Sequence, residues 1–169
     1  MNAYGKIAVL LVGVAISVGV FYFIEAGQIA HIGTKVQIKI DNQYIVADTA
    51  RTNAERSQGL GGRTSLGINN GMYFVFPDAE SYGFWMKDMN FPIDIVWING
   101  STVVGYTQNV PAPAAGTPDS ALQIYYPPVP VDRVLELHAG RAALLHLSVG
   151  DAVAVKPLLP GSVPTANPQ

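Results

Sequence analysis

The chain of 169 residues has no cysteine. That excludes a disulfide scaffold, a thiolate metal site and a cysteine nucleophile. It leaves the compartment open, since many exported proteins also lack disulfides. Charge is scarce too: 13% of residues are Asp, Glu, Lys or Arg, against about a quarter in an ordinary globular chain. A disordered, solvated polyelectrolyte is thereby excluded. The formal net charge is −2, so there is no basic excess to hold nucleic acid, and no such partner is expected. The usual catalytic signatures are also missing. No Gly-x-Ser-x-Gly elbow, phosphate loop or His-Glu-x-x-His pair occurs. The three histidines, His31, His138 and His146, lack metal-ligand spacing. The expectation is no metal, no cofactor and no recognisable catalytic set, with enzymatic activity disfavoured.

What the chain has in excess is apolar residues, 49% of the total, together with 17 Gly and 12 Pro. Part of that excess sits in Ile7 to Ile24, eighteen residues without a charge. At about 1.5 Å rise per residue such a run spans roughly 27 Å, close to the ~30 Å hydrocarbon core of a bilayer. Tyr22 and Phe23 suit the interface at its far end. The run therefore predicts a transmembrane signal-anchor over residues 7–24, after a short tail of residues 1–6 and before a linker of residues 25–34. The predicted location is a single-pass position in the cell membrane with the domain outside the cytoplasm. The alternative is a secreted or periplasmic domain released by cleavage near Ala26.

Residues 35–156 read as one β-rich domain. Lys35 to Ile40 alternate polar and apolar, Asp41-Asn42-Gln43 signals a turn, and Tyr44 to Asp48 can return as a second strand. Thr52-Asn53-Ala54-Glu55 is a capping box opening a short helix, which Gly59, Gly61 and Gly62 end. Gly71 to Phe76 is a run of β formers that Pro77-Asp78 is expected to close. Asp94 to Ile98 and Ser101 to Tyr106 flank Asn99-Gly100, the signature of a type I′ hairpin. Residues 109–132 hold six prolines and predict a long surface excursion. Val134 to Leu137 resumes a strand, Arg141 to Leu147 allows a second short helix, and Ala152 to Val155 a last strand. Residues 157–169 are expected to be a flexible Pro-rich tail. The predicted fold class is mostly β (α+β): a single small antiparallel or mixed β domain, with barrel-like closure as one form, two short helices, and a preceding transmembrane helix.

One stretch concentrates chemistry. Phe84-Trp85-Met86-Lys87-Asp88-Met89 combines aromatic, thioether and charged groups. Alternation sends Phe84 and Met86 to one face and Trp85 and Lys87 to the other. Trp with an adaptable Met is good material for an apolar pocket, and a cation nearby can orient an anionic group. The candidate ligand-binding residues are Arg56, Arg63, Trp85, Met86, Lys87 and Asp94, with Asp94 orienting the cations. Set against this, Trp and Met also fill ordinary cores, and Asp94 can form a structural pair with Arg56 or Arg63. Glu136, between Leu135 and Leu137, reads as solvent-facing.

Taken together, Glu55-Arg56-x-x-Gly59-Leu60-x-x-Arg63, Gly71-Met72-x-Phe74-x-Phe76, Phe84-Trp85-Met86-Lys87, Pro92-x-Asp94, Val134-Leu135-Glu136-Leu137-x-Ala139-Gly140 and Gly150-Asp151 resemble a prokaryotic family known as domain of unknown function 192. The resemblance runs from about Ala50 to Val155. It implies a compact β-rich fold, often behind a signal sequence or anchor, and no established activity, substrate or cofactor. The chain departs from the family pattern at Gly61, where Met is usual, and at Asp88-Met89, where Asn-Thr is usual, so Met89 becomes a candidate to fill the space of the missing Met.

Three functions fit these features. The first is a membrane-anchored extracytoplasmic accessory module binding an unidentified small ligand or an envelope protein. The alternative is a hydrolase-like enzyme of the cell envelope using Asp94 with Arg or Lys partners and His138. The third is a purely structural domain whose motif residues serve folding.

Overall fold

The computed structural model describes residues 35–159 and 161–167. The elements in chain order are β1 (Val36–Ile40), β2 (Gln43–Ala50), α1 (Asn53–Gln58), β3 (Asn70–Glu80), β4 (Phe84–Trp85), β5 (Ile93–Asn99), β6 (Thr102–Val110), β7 (Ile124–Tyr125), β8 (Val131–His138), α2 (Arg141–Leu144) and β9 (Val153–Pro157). Seven strands form one mixed sheet in the order β6-β5-β8-β3-β2-β1-β9. Its one parallel pair, β2 with β3, is joined through α1 and the Gly-rich turn. Every other pairing is antiparallel. The two ends of this order touch at one corner. Thr102 and Ala152 form an isolated antiparallel bridge, with Val103 N–H donating to Asp151 O at 2.9 Å and Val153 N–H to Ser101 O at 2.8 Å.

The expected architecture requires a correction at its amino-terminal element. Among the described residues the α-helices are six and four residues long, and none is long and apolar enough to cross a membrane. The predicted segment 7–24 lies outside the described residues. What stands is a mostly β domain with two short helices and one seven-stranded sheet.

The central strands β5, β8 and β3 are covered on both faces, which their sequences explain. In β5, Ile93, Ile95 and Trp97 point to one face while Asp94, Val96 and Ile98 point to the other, and all six are buried. One core gathers Val36, Ile38, Ile45, Tyr73, Val96, Ile98, Leu135, Leu137 and, from the α2 region, Ala142 and Leu145. The second gathers Leu60, Met72, Phe74, Phe76, Phe84, Met86, Met89, Ile95, Trp97 and Val134. Each fully buried Ile, Leu or Phe side chain contributes about 1.5–3 kcal/mol of transfer free energy. The second core is roofed by α1, the Gly-rich turn and the small β4–β7 pair.

Three local expectations shift. Strand β3 runs through Pro77 and Asp78 to Glu80, with a register irregularity between Val75 and Glu80 that accommodates the proline. The β5–β6 turn sits one residue later than predicted: Asn99 pairs with Thr102, leaving Gly100-Ser101 as the loop. Gly100 has φ +59° while Ser101 has no positive φ, the pattern of a II′ turn, where a I′ turn needs both positive. The carboxy-terminal residues return to the sheet, with Gln37 Nε2 donating to Thr165 O at 3.0 Å and Asn167 Nδ2 to Tyr44 O at 3.1 Å.

Candidate functional site

The short helix α1 is set by its capping box. Glu55 N–H donates to Thr52 Oγ1 at 3.2 Å, and Thr52 N–H donates back to Glu55 Oε2 at 2.8 Å. The helix stops at Gly59, whose φ of +47° is a backbone conformation L side chains rarely adopt and whose missing Cβ would lie 3.2 Å from the Phe74 ring. The ring of Phe74 thus comes close beneath the helix end. Arg56 turns inward: its guanidinium donates to Val75 O at 2.9 Å, and also to Arg51 O and Asn53 Oδ1. It lies 5.0 Å above the centre of the Phe76 ring, and Phe76 stacks in turn on Tyr82 at 3.7 Å and 14°. The result is a three-tier stack of guanidinium and two rings.

Between α1, β3 and β4 lies a cavity of about 460 Å³. Its wall is aromatic and aliphatic from Leu60, Phe74, Phe76, Tyr82, Phe84, Trp85 and Met89, and polar from Asn53, Gln58, Arg56 and Lys87. Glu136 also lines it. This residue sits mid-strand in β8, opposite Met72 of β3 and Ile95 of β5. It is 5% exposed, and its Oε2 is buried without a hydrogen-bond partner. Burial pushes the carboxyl up to about 8, against a smaller downward pull from the Arg63 charge. At neutral pH Glu136 is therefore mainly a neutral acid, carrying one O–H donor into the cavity. Buried polar groups in native proteins nearly always have partners, so such an orphan calls for an explanation.

The predicted site residues divide. Arg56, Trp85 and Lys87 meet at the cavity. Trp85 is 45% exposed and presents its ring to Lys87, whose Nζ lies 5.7 Å from the ring centre. Lys87 pairs with Asp119, and that hydrogen bond raises its pKa. Arg63 is held outside the cavity lining, its guanidinium 2.9 Å from Asp48 Oδ2. Met86 is buried and lines a different, smaller space with Pro111, Pro113 and Tyr125. Asp94 is absent from the cavity wall. Its Oδ1 accepts from Asn109 N–H at 2.8 Å and its Oδ2 from Ala142 N–H at 2.8 Å. Its partners are therefore backbone amides where an arginine was expected. His138 Nδ1 lies 2.8 Å from Ala139 O. The cavity wall contains no histidine and no carboxylate besides Glu136, so the expected acid–base set of Asp94 and His138 is not gathered there.

Sequence alone placed Glu136 toward solvent and left Met89 out of the ligand-binding set, although it named Met89 as a candidate to fill the space of the missing Met. Alternation placed Glu136 opposite its apolar neighbours and hence toward solvent, which holds only when one face of a sheet is open. The signal against it was the near-continuous apolar run Ile93 to Ile98 with its single Asp, which marks strands covered on both faces. Met89 is buried at the cavity beside the Gly-rich turn. At Gly61 a Cβ would lie 3.0 Å from Gln58 O and 3.3 Å from Lys87 O. The turn thus packs directly on the loop carrying Met89, and a side chain at this position, where the family pattern usually has Met, would require these backbone oxygens to give by a few tenths of an ångström.

No curated protein matches the chain. Two solved structures are similar. One is a protein of unknown function from Novosphingobium aromaticivorans DSM 12444, 28% identical, with a TM-score of 0.61 over 71% of this chain and 83% of that one. The other, from Sinorhizobium meliloti 1021, is described as a candidate transcription regulator; it is 25% identical, with a TM-score of 0.63 over 72% of this chain and 92% of that one. The sequence profile of DUF192, described as "Uncharacterized ACR", matches residues 34–155. With its fold, its motifs and this match in agreement, the chain belongs to the DUF192 family.

Proposed function

We propose that the domain is a small-ligand-binding module whose ligand enters the cavity between α1, β3 and β4. The single observation that carries this reading is Glu136: a buried carboxyl oxygen without a partner, in the wall of a cavity large enough for an organic molecule. A free polar group in a concave wall orients a ligand. A structural role alone would have favoured an apolar residue of the same size, because an unsatisfied buried polar group costs about 1–3 kcal/mol. Trp85 supplies a half-exposed ring at the mouth, and Arg56 is held rigid by its carbonyl partners. The uncharged run of residues 7–24 supports export of the domain, so the ligand would be met outside the cytoplasm.

Saturation-transfer NMR of the full-length chain against a library of small organic fragments tests the proposal. Fragments that bind wild type, are displaced from one another, and lose affinity in Glu136→Leu are expected. A library with no binder, or binders unaffected by Glu136→Leu, would overturn it.

A further inference from the structure

We infer that the ligand is a small carboxylate with a flat apolar body, its anionic group meeting the unpartnered oxygen edge of Glu136 on the Arg56 side of the cavity and its body lying along Trp85, Phe74 and Met89. This rests on the reading of the cavity as a ligand site and adds the chemical class. Two chemistries could in principle satisfy the orphan oxygen. An ammonium or other N–H group would donate to an ionised Glu136, whereas an oxygen acceptor would receive a hydrogen bond from the neutral acid.

Charge decides between them. Arg56 from α1 and Lys87 from the segment after β4 both line the wall, and the field of Arg63 reaches Glu136 from the Gly-rich turn. Lys87 is paired with Asp119 and Arg63 with Asp48, so Arg56, whose guanidinium is held by carbonyl and amide oxygens, supplies the positive charge at the wall; a cationic ligand meets like charge there and an anionic one complementary charge. The strands flanking Glu136 add no titratable group on this face, since its cross-strand neighbours are Met72 and Ile95. Tyr82 lies at the wall, and His138 follows two residues along β8. A carboxylate facing the neutral acid makes a charge-assisted O–H···O⁻ hydrogen bond in which one proton serves two carboxyl groups, among the shorter and stronger hydrogen bonds available. The aromatic wall accounts for the apolar body. Phe74, Phe76 and Trp97 each pack edge to face on Phe84, while Trp85, 45% exposed, keeps ring surface to offer.

The class makes a proton-linked prediction. Once Glu136 ionises, two carboxylates face each other and the hydrogen bond is lost. With the carboxyl titrating at about 8, roughly a tenth of it remains neutral at pH 9, so affinity for a carboxylate should fall about tenfold between pH 6 and pH 9.

Isothermal titration of the full-length chain with sodium benzoate and with benzylamine, at both pH values, in wild type and Glu136→Gln, reads this directly. Gln keeps an N–H donor and cannot ionise. Benzoate is expected to bind wild type with the roughly tenfold loss, and to bind Glu136→Gln equally at both pH values, while benzylamine shows no binding. Benzylamine binding, benzoate affinity that is flat in wild type, or a pH loss that survives in Glu136→Gln and so belongs to another group such as His138, would each overturn the carboxylate assignment. If benzoate fails while other library fragments bind in a Glu136-dependent way, the ligand class falls and the proposed function stands. If no fragment binds either, both fall.

Discussion

Asp94 Oδ2 accepts the backbone N–H of Ala142 at 2.8 Å, tying a fully buried carboxylate on β5 to the first turn of α2. Its other oxygen holds Asn109 N–H near the end of β6. One side chain thus pins a helix start and a strand end that are far apart in sequence. Asp94→Ala would leave two amides without their acceptor, and a loss of about 2–5 kcal/mol is expected from urea unfolding. Asp94→Asn, which keeps one acceptor oxygen, should lose less. Fragment binding at the cavity should survive in the Asn variant, because Asp94 does not line it.

Glu136 gives the opposite kind of prediction. Its carboxyl is raised from an unfolded value of 4.5 to about 8. Between these values the folded state holds a proton that the unfolded state has released. The contribution of this group to stability is therefore greatest below about pH 4.5 and falls as pH rises toward 8, at up to about 1.4 kcal/mol per pH unit. Glu136→Gln removes this term. Its melting temperature should match wild type near pH 4.5 and exceed it by a margin that grows through pH 8, measured by differential scanning calorimetry in a pH series. A margin independent of pH would contradict the assignment.

Much of the fold was legible because local chemistry dictated it. The Thr52–Glu55 capping box, the alternation in β1, and the glycine after Asn99 act within a few residues, and each produced the expected element. The outward Trp85 and inward Phe84 and Met86 also followed from alternation. What escaped depends on the third dimension. Glu136 was read as exposed because a period of two cannot tell an open face from one roofed by α1 and β4, elements from distant parts of the chain. Asp94 was assigned an arginine partner because charge complementarity is easy to see in sequence, whereas a backbone amide 48 residues away is not. Arg63 found its partner in Asp48, a residue of β2 that becomes its neighbour only through the β2–α1–β3 crossover.

That Asp48 pairing sets an acid limit. Burial acts to raise its carboxyl, but hydrogen bonds from Lys35 and Arg63 outweigh it and hold the group below its ordinary 3.8. A depressed carboxylate contributes stability that is complete above the unfolded value and is lost as pH falls through the folded one. Arg63→Ala should cost about 1 kcal/mol or less at pH 7, given partial exposure. Chemical denaturation at pH 7 and pH 2.5 should show this difference shrinking on the acid side.

Gly71 controls the spacing of the strand that carries Glu136. A Cβ there would fall 2.8 Å from Glu136 O and 3.1 Å from Leu135 Cδ1. Because the first of these atoms is backbone, the β3–β8 pair must separate to admit it. Gly71→Ala is expected to lower stability by about 1–3 kcal/mol, read by calorimetry. It should also weaken fragment binding, since the separated pair shifts the cavity floor.

The most direct measurement is a pH titration of the Glu136 side-chain carboxyl by ¹³C NMR in glutamate-labelled full-length chain, assigned by comparison with Glu136→Gln. A midpoint near 8 is predicted for the unliganded protein, moving further upward when benzoate is bound. A midpoint near 4.5, the ordinary glutamate value, would show a solvated or paired carboxylate and contradict the neutral, unpartnered acid on which the ligand site depends.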